Sequence, residues 1–243
     1  MDQRTRLRSY VSGGHRQVAG WLAQRSAAMI AALAIHQHNR GLSGAVGEIG
    51  VHHGRLFILL ALAAEPTEKL FAIDVFEQQE LNKDQSGSGD RDIFYANLRN
   101  NGLVPEAMTI ITASSLDVTG SQLKDQVGEV RMLSIDGGHT EECILNDLAI
   151  ADDVLADHGI IIMDDVFNST WPSVASGYAR YLLASPQTVP FASAPNKVFA
   201  CRPEYVESYR QFLRKTFAKI HDRTDAFFGF PMDCYGMWNR RAA

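Results

Sequence analysis

The chain has 243 residues, of which 46% are hydrophobic and 21% are charged, and its formal net charge is −5. This composition predicts one folded globular domain and excludes a disordered or fibrous chain. With a net negative charge, the chain lacks the excess of basic residues that binding to a phosphate backbone needs, so we do not expect a nucleic-acid partner. The apolar runs are shorter than the ~20 residues of a bilayer span, and the three cysteines are widely spaced, so we expect a cytoplasmic protein without a membrane partner.

Hydrophobic periodicity predicts an alternation of helices and strands along the whole chain. One or two amphipathic helices over residues 16–38 form an N-terminal helical cap. Seven strands follow, at residues 45–49, 70–73, 108–112, 130–135, 159–163, 188–191 and 197–201. The predicted helices between and after them span residues 55–64, 93–101, 141–156, 173–184 and 203–221.

The strands are continuous apolar runs, which is typical of a parallel sheet covered by helices on both faces. We therefore predict an α/β fold with a mostly parallel, seven-stranded central sheet. Residues 1–43 are the helical cap, residues 44–201 the core, and residues 202–243 a C-terminal helix and an aromatic tail of the same domain. The tail, residues 227–238, is predicted to pack on its own domain or on a second copy of the chain, which makes a homo-oligomer a candidate assembly.

A glycine turn follows the first predicted strand. Gly50 and Gly54 allow the backbone to turn sharply and to approach a ligand at the carboxyl edge of the sheet. The spacing is neither that of a dinucleotide fingerprint nor that of a triphosphate loop. Glu48, just before the turn, would repel a pyrophosphate but pair with the ammonium of an amino-acid-like cofactor, which favours S-adenosylmethionine (SAM) over NAD. Asp74 ends the second strand, where a carboxylate can bind a ribose diol.

Three carboxylates follow the next pair of central strands. Asp136 ends the fourth predicted strand, and Asp164 and Asp165 end the fifth. Carboxylates gathered at one sheet edge repel one another unless a cation lies among them, and a set of hard oxygen ligands favours Mg²⁺ or Mn²⁺. The alternative interpretation is that these residues cap helices or stabilise loops.

His139 follows Asp136 after two glycines and is the candidate general base, because an imidazole accepts a proton near neutral pH. A bound dication lowers the pKa of a coordinated hydroxyl, so cation and base together suit methyl transfer to oxygen. His52 and His53 lie inside the glycine turn, where a substrate contact is the weaker hypothesis.

Four segments carry a resemblance to a known family: residues 48–54 (EIGVHHG), Asp74, residues 134–139 (SIDGGH) and residues 162–165 (IMDD), the last followed by Trp171 and Pro172. Over residues 44–201 the sequence resembles the metal-dependent small-molecule O-methyltransferases, which include the macrolide-sugar enzymes macrocin and mycinamicin O-methyltransferase. The resemblance implies a Rossmann-like class I methyltransferase fold, SAM as cofactor, and a hydroxyl acceptor that is a sugar or a glycosylated natural product.

The resemblance also implies a role for each matching position. Metal binding falls to Asp136, Asp164 and Asp165, general base catalysis to His139, and cofactor binding to Glu48, Gly50, Gly54, Asp74, Ser114 and Asp136. Ser114 is our choice for the residue that borders the adenine. In relatives the position of Asp164 can carry a glutamate, whose longer side chain would alter the metal geometry.

Two alternatives stay open at this point. A metal-dependent oxygenase or hydroxylase would also place acids and a histidine around a metal, but its usual triad has two histidines and one carboxylate. A SAM-binding protein without turnover is the other. The metal that restores activity, and a methylated product, would distinguish the three.

Overall fold

The computed structural model describes residues 2–236, which form one twisted sheet flanked by helices. The helices are α1 (Gln3–Ser12), α2 (Gln24–Asn39), α3 (Arg55–Ala63), α4 (Arg91–Asn100), α5 (Gly120–Val127), α6 (Glu141–Val154), α7 (Pro172–Leu183) and α8 (Val206–Thr216). The strands are β1 (Ala45–Ile49), β2 (Leu70–Asp74), β3 (Thr109–Thr112), β4 (Val130–Ile135), β5 (Leu155–Asp164), β6 (Val189–Ala194), β7 (Lys197–Cys201), β8 (His221–Phe227) and β9 (Phe230–Tyr235).

The order of the strands across the sheet is β3-β2-β1-β4-β5-β7-β6-β9-β8. The first five strands of this order are parallel to one another. β7 then pairs antiparallel with both β5 and β6. Because the chain runs outward from β1 in one direction and from β4 in the other, the strand order reverses between them, and open α/β sheets bind ligands outside the carboxyl ends of the strands at such a point.

The sheet has a hydrophobic core on each face, because neighbouring side chains of a strand point to opposite sides. Val46 packs in one core with α1, α2, α3 and α8, whereas Ile49 packs in the other with α5, α6 and α7. All five residues of β1 and all six of β4 are buried. The α/β fold with a mainly parallel sheet, predicted from continuous apolar runs, is thereby confirmed.

Several element boundaries differ from the sequence prediction. The first and fourth strands match it residue for residue, but the last helix ends at Thr216 and not at residue 221. Helix α5 was absent from the prediction. It is only eight residues long, and Thr119 and Gln122 form a capping box at its start. A short helix with two buried apolar side chains, Leu123 and Val127, has too little periodicity to be recognised.

The predicted count of seven strands is wrong, because residues 2–236 already form a sheet of nine. Part of the predicted aromatic tail forms the hairpin β8–β9, and β9 pairs in parallel with β6 at residues Ala192 and Ser193. Within the described residues the tail therefore packs on its own domain, as one of the two predicted alternatives stated. Residues 237 and 238, also assigned to the tail, lie outside the described residues.

The N-terminal region is helical, as the predicted cap required. α2 buries Met29, Ile30 and Leu33 completely against the sheet. Gln37 at its end donates hydrogen bonds to the carbonyl oxygens of Arg131 (3.1 Å) and His158 (3.0 Å). Within residues 2–236, no helix combines the length and the apolar character that crossing a bilayer requires.

Candidate functional site

A cavity of about 500 Å³ lies at the carboxyl ends of the parallel strands. Its wall includes residues that follow four strands: Gly50 after β1, Asp74 at the end of β2, Ser114 after β3 and Asp136 after β4. Asp165, after β5, closes the far side. The predicted site residues from five strands therefore border one cavity, whose volume is typical of small-ligand sites.

Hydrogen bonds join the glycine turn after β1 to the carboxylate of Asp74. Oδ2 of Asp74 accepts hydrogen bonds from the backbone N–H groups of Val51 (2.7 Å) and His52 (2.8 Å). Oδ1 accepts one from Phe76 N–H (2.7 Å). A carboxylate offers about four lone-pair sites, so Asp74 retains capacity for a further donor from the cavity.

Gly50 has a left-handed backbone, with φ at +80°, and lies against the β4 loop. A Cβ at this position would lie only 1.9 Å from the carbonyl oxygen of Asp136. Glycine is thus required both for the conformation and for the close approach of two loops that line the cavity.

Glu48 is a buried carboxyl group in the cavity wall, only 2% exposed. Its Oε2 has no hydrogen-bond partner among the described residues. Burial raises the pKa of Glu48 to about 8, although the nearby Lys197 opposes this shift. A buried acceptor without a donor is costly, so its position in the wall fits a ligand that brings a cationic or N–H donor.

Of the two other residues predicted to bind the cofactor, Ser114 lies in the cavity wall and Gly54 does not. Ser114 lines the cavity, and its Oγ accepts a weak hydrogen bond from Leu116 N–H (3.3 Å). Gly54 does not line the cavity. Its φ is +89°, and a Cβ there would lie 2.7 Å from the ring of Phe94, so this glycine lets α3 begin against that ring.

His139 lies between two carboxylates. Its Nδ1 is 2.9 Å from Oδ2 of Asp84, and its Nε2 is 3.1 Å from Oδ2 of Asp165. The ring also stacks on Trp171, with 4.3 Å between the ring centroids. Burial opposes the imidazolium, but the hydrogen bonds to Asp165 and Asp84 outweigh it and raise the pKa of His139.

Asp164 has a different environment from the other predicted metal ligands. Lys197 lies directly opposite it on β7, and its Nζ donates a hydrogen bond to Oδ2 of Asp164. Asn196 and the backbone N–H of Asp165 donate to Oδ1. The Lys197 ammonium, 2% exposed, is also 3.7 Å from Oδ2 of Asp136, so a buried cation already lies between these two carboxylates.

Among residues 2–236, Asp136, His139 and Asp165 form a group that could share a metal ion. Each offers a ligand atom, and these atoms lie within 4.8 Å of one another. This group contains His139 and lacks Asp164, whereas the predicted metal ligands are Asp136, Asp164 and Asp165; Asp164 forms a buried ion pair with Lys197. The two carboxylates supply the hard oxygen ligands that Mg²⁺ and Mn²⁺ prefer, and His139 beside them keeps Nε2 available to accept a proton.

Four side chains of this site have no role in the sequence prediction: Asp84, Trp171, Asn196 and Lys197. A lysine at the start of an otherwise apolar strand is a usable signal, because a buried lysine almost always has an anionic partner. Trp171 belongs to a segment of the family resemblance but received no role. Asp84 lies in a polar loop, where nothing in the local pattern distinguishes it from a solvated acid.

Comparison with known sequences adds to this geometry. Residues 48–166 match the sequence model of a family described as "Methyltransferase domain". The matched range begins at Glu48 and includes Asp136, His139 and the pair of acids after β5. Curated protein sequences give no match to this chain.

Solved structures give the same fold. The O-methyltransferase NovP is similar over 73% of this chain and 80% of its own, with 14% identity and a TM-score of 0.57. CalS11, a TDP-rhamnose 3′-O-methyltransferase of calicheamicin biosynthesis, covers 75% and 81%, with 16% identity and a TM-score of 0.52. TomG from Streptomyces achromogenes, an O-methyltransferase of tomaymycin synthesis solved with SAM, covers 80% and 86%, with 16% identity and a TM-score of 0.53.

These comparisons show that the chain has the Rossmann-like methyltransferase fold, and they support the prediction that it is a methyltransferase. At sequence identities of 14% to 16%, the solved structures are evidence for the fold alone. The likeness to the macrolide-sugar enzymes stays a prediction.

Proposed function

We propose that this protein transfers the methyl group of SAM to a hydroxyl oxygen of a small molecule, with a divalent cation bound at the acidic cluster. One observation carries the proposal. A single cavity joins the carboxyl group of Glu48, whose Oε2 has no partner among the described residues, and the Asp74 turn, which suit the cofactor, to the group of Asp136, His139 and Asp165, which suits the chemistry.

The cofactor would use the side of the cavity formed by β1, β2 and β3. The ammonium of the methionine part would satisfy Oε2 of Glu48, since charge-assisted hydrogen bonds are the strong ones. The remaining lone pair of Asp74 would accept a ribose hydroxyl, and Gly50 would admit the cofactor close to the backbone. Ser114 would border the adenine ring at the end of β3.

The reaction would take place on the Asp136 side. His139 Nε2 would accept the proton of the acceptor hydroxyl as its oxygen attacks the methyl carbon and the bond from carbon to sulfur breaks, which releases S-adenosylhomocysteine. A cation bound by Asp136 and Asp165 would supply charge stabilisation for the developing alkoxide. Asp164 would position Lys197 and Asn196 and would not bind the cation directly.

The same cavity and two likenesses support our choice of acceptor class. The motif resemblance points to macrolide sugars, and CalS11 is named for a nucleotide-linked deoxysugar. Trp171, stacked on His139, also lines the cavity, where its indole would contact the bound acceptor. We therefore favour a sugar hydroxyl, free or on a natural product, over a phenol. A second copy of the chain remains a proposed partner.

The proposal is tested by turnover with radiolabelled SAM, Mg²⁺ or Mn²⁺, and a panel of acceptors that includes TDP-rhamnose and catechol. We expect a methylated sugar, loss of turnover in EDTA, and recovery on adding the metal. Asp136→Asn should abolish turnover while S-adenosylhomocysteine still binds in calorimetry.

Full activity in metal-free enzyme would remove the cation from the mechanism. SAM binding without product from any acceptor would favour a binding protein. Oxygen consumption restored by Fe²⁺ would instead favour an oxygenase, although one imidazole and two carboxylates in the described cluster do not match the usual two-histidine triad of that class.

A further inference from the structure

The loop between β2 and α4, residues 75–90, supplies several residues of the cavity wall, among them Val75, Ser86 and Gly89. At one end it lies next to the cofactor side, where a Cβ on Gly89 would be 3.0 Å from Oδ1 of Asp74. At the other end Asp84 reaches His139. One loop therefore contacts both the proposed ribose site and the proposed base.

Asp84 holds His139 at two points. Its Oδ2 accepts hydrogen bonds from the backbone N–H of His139 and from Nδ1 of the ring (2.9 Å). Its other oxygen accepts one from Ser86 N–H (2.8 Å), and Ser86 Oγ lies 3.1 Å from the same Nδ1. Asn82 donates to the carbonyl of Ser86 (2.7 Å), which stiffens the loop behind the carboxylate.

We propose that Asp84 is the positioning residue that fixes the imidazole of His139 for methyl transfer. Asp84 binds the Nδ1 edge of the ring and keeps a proton on that nitrogen, which turns Nε2 towards Oδ2 of Asp165 and the cavity. Trp171 covers one face of the ring and, with Asp84, leaves it a single orientation. This inference rests on the proposed function for the role of His139, but not for the hydrogen bond itself.

Asp84 comes from the loop that borders Asp74, and not from the strand ends that supply Asp136 and Asp165. Placement of the base is therefore tied to the conformation of a loop beside the cofactor. A residue at the end of a strand would have held His139 independently of the conformation of that loop.

The test compares Asp84→Asn and Asp84→Ala with Glu80→Gln, which removes a charge from an exposed side chain of the same loop. The ring ¹⁵N signals of His139, assigned by their loss in His139→Gln, report the tautomer without any need for turnover. Calorimetry with S-adenosylhomocysteine reports the cofactor site. Turnover is measured with TDP-rhamnose or catechol, whichever the acceptor panel shows to be methylated.

We expect both Asp84 variants to lose the Nδ1–H tautomer and to lower kcat by about 10- to 100-fold, the usual effect of removing a partner that orients a histidine. The dissociation constant of S-adenosylhomocysteine should stay unchanged, and Glu80→Gln should behave as wild type. Asp84→Asn combined with His139→Gln should be no slower than His139→Gln alone, because the two residues act as a unit.

Unchanged ring signals in Asp84→Asn, or losses that multiply in the double variant, would overturn the proposal. So would a weakened S-adenosylhomocysteine affinity with an unchanged ring, since that result assigns Asp84 to loop structure alone. If wild type methylates nothing, the ring spectra still decide the positioning role, and only the proposed function fails. If turnover persists while the spectra are unchanged, the function stands and the positioning role falls.

Discussion

At the scale of single residues, Gly50 lets the loop after β1 and the loop after β4 lie against each other, and a Cβ atom at this position would push them apart. A methyl group there would overlap the Asp136 carbonyl, at 1.9 Å. Gly50→Ala should therefore abolish binding of S-adenosylhomocysteine. Gly41→Ala is the matched control: its φ is +69°, nothing lies within 4 Å of the added carbon, and the expected cost is only the ~1–2 kcal/mol of a left-handed alanine. Equal ligand binding by both variants, measured by calorimetry, would contradict the assigned role of Gly50.

Lys197 determines how many carboxylates a cation can reach. Lys197→Met should free Asp164, which is buried, and leave both Asp164 and the partly exposed Asp136 without this cation. We expect the metal-free variant to unfold at a lower temperature than wild type, and Mn²⁺ to raise its unfolding temperature by more than it does in wild type. Thermal unfolding in EDTA and in Mn²⁺ measures both effects. Identical metal-induced shifts in the two proteins would show that Asp164 is not masked by Lys197.

Part of the site follows from the sequence because parallel strands end at one edge. Glu48, Asp136 and Asp165 each stand at or beside such an end, so one rule brings them to the same cavity. Asp84 and Lys197 do not obey that rule. One reaches the site through the path of a loop, and the other through an antiparallel strand whose register the local pattern does not specify. Their partners depend on tertiary structure.

At the scale of elements, the C-terminal hairpin explains why nine strands form where seven were predicted. Exposed side chains cover much of β8, so no alternation of apolar residues marks it as a strand. The hairpin is held by a buried acid. Asp233 on β9 is completely buried and accepts hydrogen bonds from Arg210, Arg214 and Thr224. Polar anchoring of this kind leaves no hydrophobic signature in the sequence.

The same acid predicts a pH dependence of stability. Burial opposes ionisation of Asp233, but the hydrogen bonds from Arg214 and Arg210 prevail and lower its pKa to about 2, from an ordinary 3.8. Because the folded pKa lies below the unfolded one, the contribution is complete above about pH 4 and is lost as pH falls towards 2. Asp233→Asn should cost ~3–5 kcal/mol at pH 7, and less in acid, in denaturant titrations. Asp225→Asn, an exposed change in β8, is the control. A loss independent of pH would contradict this account.

At the scale of the whole molecule, one buried network ties the helical cap to the sheet. Arg131 on β4 is fully buried and donates hydrogen bonds to both oxygens of Glu68. It also donates to Oε1 of Gln37 on α2 (2.9 Å). The network links a helix of the cap, the loop before β2 and β4, the strand that precedes Asp136. The predicted cap is therefore held by polar contacts as well as by its apolar face.

Removing one partner of the Arg131–Glu68 ion pair should destabilise the protein more than removing both partners. Glu68→Gln leaves the Arg131 charge buried without an anion, and we expect a loss of ~3–5 kcal/mol in the free energy of unfolding. This corresponds to a fall of roughly 6–20 °C in Tm, at about 2–4 °C per kcal/mol for a domain of this size. Combining it with Arg131→Met should recover part of the loss, because no unpaired charge remains. Glu106→Gln, which removes an exposed ion pair with Arg99, should change Tm little. Calorimetry on the four proteins measures these differences, and a double variant less stable than Glu68→Gln would show that the network contributes more than charge balance.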